Sequence, residues 1–68
     1  MTRETYTVVG MTCDHCARSV TEEVSAVDGV TDVKVDLASG LVDVTALHPV
    51  PVAAVQAAVE EAGYTLAS

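Results

Sequence analysis

One arrangement of apolar residues occurs twice in this chain, and the repetition restricts the fold more than any other feature. Ala17, Val20, Val24 and Val27 follow at steps of three, four and three, with Asp28-Gly29 directly after them. Val52, Val55, Val59 and Ala62 repeat the steps, and Gly63 follows. Each set lays a single apolar stripe along a helix that a glycine terminates. The flanking segments instead alternate apolar with polar residues, which is the period of a half-buried strand. Tyr6 and Val8 alternate with Thr5 and Thr7 in a strand running from Glu4 to Val9, with Gly10 at its end. Val33, Val35 and Leu37 alternate with Lys34 and Asp36; after the turn Ala38-Ser39-Gly40, Val42, Val44 and Ala46 alternate again, so the two segments make a β-hairpin. Pro49 and Pro51 suit the start of the second helix, and Tyr64 to Ala67 is long enough for a short closing strand.

The order is therefore β-α-β-β-α-β. It predicts an α+β, ferredoxin-like fold with a four-stranded antiparallel sheet covered on one face by two helices. Sixty-eight residues, half of them hydrophobic, suffice for one domain spanning 1–68 and leave no room for a second. The apolar residues are mostly Val and Ala, with no Trp or Phe, so the core is expected to be thin and aliphatic, worth only a few kcal/mol.

No segment reaches the roughly 18 apolar residues of a membrane span, and Met1-Thr2-Arg3-Glu4-Thr5 lacks the basic and apolar regions of an export signal. A cytoplasmic location without membrane insertion is expected. Ten acidic residues against three basic ones give a net charge of −7, which opposes binding to nucleic acid or anionic lipid. That charge keeps a small protein soluble, and it would also steer the protein to a basic partner.

Cys13 and Cys16 enclose Asp14 and His15 where the first strand gives way to the first helix. A disulfide across so short a loop removes little entropy from the unfolded chain, so a structural staple is a poor explanation of the pair. Metal binding and thiol–disulfide chemistry both remain. Unpaired N–H groups and the positive end of the helix dipole favour thiolates at this place. Two soft donors do not complete the roughly four-ligand tetrahedron of structural zinc. They do suit Cu(I), which is selected by thiolates and accepts few of them, leaving room for a ligand from another protein. Such a carrier transforms no substrate.

Gly10-Met11-Thr12-Cys13-Asp14-His15-Cys16, together with Gly29-Val30, Val33-Lys34-Val35-Asp36 and Gly63-Tyr64, resembles the heavy-metal-associated domain family over nearly the whole chain. Within that family, His15 before the second cysteine and Tyr64 after the second helix look like the bacterial copper chaperones. The resemblance implies Cu(I) held by Cys13 and Cys16 and delivered to a copper-transporting P-type ATPase or a copper-responsive repressor, with a metal-bridged homodimer as a further possibility. It implies that Met11 packs beneath the loop as a core anchor. Thr12, His15 and Tyr64 are expected around the ligands, Tyr64 either as a strand aromatic or with its hydroxyl near a sulfur, and His15 either as a neighbour that modulates the thiolates or as a ligand itself. Arg18 should be exposed on the first helix, solvated or docking a partner. Zinc-transporting relatives often carry an Asp before the first cysteine, where this chain has Thr12. Two alternatives accompany this reading: the N-terminal metal-binding domain of such an ATPase, and a thiol oxidoreductase.

Overall fold

A computed structural model describes residues 1–67 and shows the expected order of elements: β1 (Thr2–Val9), α1 (Asp14–Ser25), β2 (Val30–Asp36), β3 (Leu41–Ala46), α2 (Val52–Glu61) and β4 (Thr65–Leu66). The strands lie in the order β2-β3-β1-β4, every neighbour antiparallel. Register follows the apolar alternation: Tyr6 pairs with Val42, Val35 with Val42 and Val33 with Val44, so these side chains share the helix-covered face. A slip of one residue would turn all of them to solvent. Val30 stands three residues from Val33 yet faces the same side, because an irregularity between Val30 and Asp32 absorbs the extra residue.

Ten buried apolar residues form the core among the described residues; seven are Val, which bears out a thin aliphatic interior. Val20 and Val24 carry the stripe of α1, and Val55, Ala58 and Val59 that of α2. Two stripe positions differ from expectation. Val27 lies beyond α1 in a tight turn, where it packs on the core only partly buried. Val52 is 57% exposed. At that end Val50 packs on the core instead; it precedes the N-cap Pro51, and Val55 is the fourth helical residue, the two positions that a hydrophobic staple uses.

The closing strand is shorter than Tyr64 to Ala67, because Tyr64 belongs to the cap of α2. Gly63 N–H donates to Glu60 C=O at 2.9 Å and Tyr64 N–H to Val59 C=O at 3.1 Å. With Gly63 at φ +95°, this is a Schellman motif. Only Thr65 and Leu66 then pair with β1, although Ala67 N–H still reaches Thr7 C=O at 2.7 Å.

Three connections meet at one end of the sheet. The β1–α1 loop leaves Val9, and the neighbouring Val8 N–H binds Gly40 C=O of the β2–β3 hairpin at 2.9 Å. The α2–β4 turn sets the Tyr64 ring over Gly10, where a Cβ would stand 3.3 Å from the ring. A matching contact closes the other end, where the His48 ring covers Gly29.

Candidate metal centre

Cys13 is the N-cap of α1, with extended backbone (φ −153°, ψ 170°), and its carbonyl accepts the first helical bond from Ala17 N–H at 3.1 Å. Cys16 sits one turn in. The helical return brings the two sulfurs within 3.3 Å, both as free thiols, Cys13 exposed and Cys16 half-buried. Thr12 places its hydroxyl oxygen 3.9 Å from the Cys16 sulfur.

The surroundings favour the Cys16 thiolate. Its pKa is lowered from 9.0 to about 6, first by the Thr12 backbone N–H, then by the Tyr64 hydroxyl and the Cys13 thiol, with partial desolvation opposing them. The phenol of Tyr64 is correspondingly raised, chiefly because it donates to the Cys16 sulfur. A donor network that stabilises a negative sulfur also prepares it as a ligand for a soft cation.

Met11 is half-buried and packs against the core. His15 and Arg18 are exposed on α1. Among the described residues no group of three or more His, Cys, Asp or Glu side chains is placed to share an ion, so the structure does not bring His15 or Asp14 into a ligand set with the cysteines. His48 lies on Gly29 at the far end. Sequence reading missed two contributors. The Thr12 backbone N–H leaves no trace in residue identity. Gly10 reads as a strand end, whereas its bare face is also the seat of the Tyr64 ring.

Fold and loop together define a class: a ferredoxin-like domain that presents a close pair of thiols at the surface, on the N-terminus of its first helix. The heavy-metal-associated domain profile matches residues 5–65. The copper chaperone CopZ of Bacillus subtilis is 40% identical over 68 residues, covering 98% of this chain and 99% of the relative. Copper-transporting ATPase 1 of Rhizobium meliloti is 42% identical over 57 residues, 84% of this chain but only 7% of the ATPase. A solved CopZ metallochaperone superposes with a TM-score of 0.89 at 35% identity, over 96% of this chain and 98% of that one. The chain belongs to the heavy-metal-associated domain family, and its likeness to the CopZ-type members runs the length of both chains.

Proposed function

We propose that this protein carries one Cu(I) on the thiolates of Cys13 and Cys16 and passes it by ligand exchange to the metal-binding domain of a copper-transporting P-type ATPase. The observation that carries the reading is the open pair itself: two sulfurs 3.3 Å apart at the surface, with no third His, Cys, Asp or Glu grouped with them among the described residues. Full-length likeness to copper chaperones supports the choice of metal. A closed four-ligand cage would retain its ion, whereas a two-thiolate site admits an incoming sulfur. A copper-responsive repressor is the alternative recipient, and two monomers sharing copper through their open sites would be a transient dimer. The carrier acts in the cytoplasm as one domain and transforms no substrate; among the described residues no helix is long and apolar enough to cross a membrane.

The geometry also supports an order of release. With metal–sulfur bonds of about 2.3 Å, taken from zinc thiolates, an ion seated at the present separation would have a sulfur–metal–sulfur angle of about 90°. Two opposed ligands need the sulfurs to part to about 4.6 Å on the same bond length. Cys13 is exposed at the N-cap, while Cys16 is half-buried within the first turn of α1, its thiolate favoured by the Thr12 N–H and the Tyr64 hydroxyl. Cys13 therefore makes the movement on loading and leaves first on transfer.

The similarity to 7% of an ATPase favours one second reading, the same chemistry in a regulatory domain of a transporter. Anaerobic titration with Cu(I) against a chromogenic chelator tests the site. The expected result is one tightly held ion per chain, lost in the Cys13→Ser/Cys16→Ser double variant with an unchanged circular dichroism spectrum. Tight binding in that variant would overturn the assignment.

A further inference from the structure

Gly63 lies in the turn after α2, has no place in the thiol loop and would meet nothing within 4 Å if it carried a Cβ. Its constraint is conformational. The positive φ of +95° lets the chain close the Schellman bonds from Gly63 to Glu60 and from Tyr64 to Val59. Those two bonds fix the Tyr64 backbone at the helix end. From there the ring lies over the bare face of Gly10, the residue that opens the loop to Cys13 and Cys16, and the influence of its hydroxyl on the Cys16 thiol agrees with that placement. Gly10, also at positive φ (+101°), offers no Cβ to block the ring.

We infer that Gly63 is a positioning residue for the metal loop: the cap of α2 holds the Tyr64 ring as a clamp on Gly10 and so sets the Cys16 side of the thiol pair from the opposite half of the chain. The inference rests on the proposed role of Cys13 and Cys16 as ligands. It assigns control of the site to a residue that touches neither sulfur. The acting contact is the Tyr64 ring on Gly10, and it depends on where the helix cap releases the chain. Outer groups that orient a ligand typically change metal affinity by about 10–100-fold when lost.

Gly63→Ala tests it cleanly, because the added methyl meets no neighbour and acts only through the strained φ. In the metal-free protein the Gly10 α-proton resonances, displaced by the Tyr64 ring current, should move back towards their values in Tyr64→Ala. Cu(I) dissociation constants from chelator competition should rise about tenfold. Gly63→Asn, which tolerates the left-handed region, should keep the wild-type shifts and affinity. In a Tyr64→Ala background, Gly63→Ala should have no further effect on affinity, which separates positioning from a general loss of stability. Unmoved Gly10 resonances, an unchanged affinity in Gly63→Ala, or an equal loss in the Tyr64→Ala background would each overturn the inference. Failure of the ligand assignment shows itself separately, as Cu(I) binding that survives the double serine variant.

Discussion

A cysteine at the N-cap of a helix is a poor structural choice, and the cost can be measured. Ser, Thr, Asp and Asn at this position bond the N–H of the second or third helical residue, and losing such a cap typically costs about 1 kcal/mol. Cys13 has the extended backbone of a cap but makes no side-chain capping bond, because its sulfur turns to Cys16 instead. Cys13→Ser supplies the missing hydroxyl at the same backbone geometry. Cys13 is exposed, so little burial is lost in exchange. The metal-free variant should therefore be more stable than wild type by about 1 kcal/mol. With an unfolding entropy of about 2.1 cal/mol/K per residue over 68 residues, the thermal midpoint rises by about 7 °C. Melting the reduced, chelator-treated proteins by circular dichroism measures it, with Cys13→Ala as the control that lacks both thiol and cap and should stay near wild type. Excess Cu(I) should then reverse the order, since only wild type gains binding energy by linkage. A Cys13→Ser midpoint at or below that of Cys13→Ala would refute the reasoning.

Cys16 titrates at about 6 instead of 9.0, so between those values the unfolded chain holds a proton that the folded chain has released; stability of the reduced, metal-free protein should rise with pH across that window and be fully present above 9. Thermal midpoints measured through the window check this, and a flat wild-type profile, or an equal slope in Cys16→Ser, would count against the thiolate network. Met11→Ala should lower stability by about 2 kcal/mol, the low end for methionine truncation because Met11 is only half-buried, with little change in the Cu(I) affinity of the folded protein. An unchanged denaturation midpoint with weaker copper binding would assign Met11 to the site instead.

The parts of the fold that were legible in the sequence are those whose signal is local. Alternation in Val33-Lys34-Val35 and Val42-Asp43-Val44 carries both strand and facing, and the pairing of Val35 with Val42 follows. Irregularities were not legible, since each depends on a partner distant in the chain. The extra residue at Thr31 is visible only once Val30 is set against Ala46, and the exposure of Val52 only once Val50 is seen packed on the core. The same division runs through the site. Cys13 and Cys16 are three residues apart, so one helical turn brings them together and the spacing announces it. Tyr64 stands 48 residues from Cys16, and only the family resemblance suggested where its hydroxyl points. Backbone donors are silent in any sequence, which is why the strongest stabiliser of the Cys16 thiolate, the Thr12 N–H, went unseen.

The two halves of the chain share the spacing of their helices, so their difference in chemistry must come from the segments that the core does not use. In the first half the loop runs Gly10-Met11-Thr12-Cys13, and its N-cap and first helical turn carry thiols. In the second half Pro51 is the N-cap, a residue without an N–H, and the preceding His48 faces Gly29. Neither helix has a side-chain cap, but only α1 carries in its first turn a thiol whose pKa is lowered, that of Cys16. The second half still enters the site through its other end, where the cap of α2 sets the Tyr64 ring on Gly10. A peptide of the first half alone would keep both sulfurs and lose the ring that covers their loop. Under the proposed function such a peptide binds copper without the control that the folded domain supplies, and that control is what the β-α-β-β-α-β plan adds to a pair of cysteines.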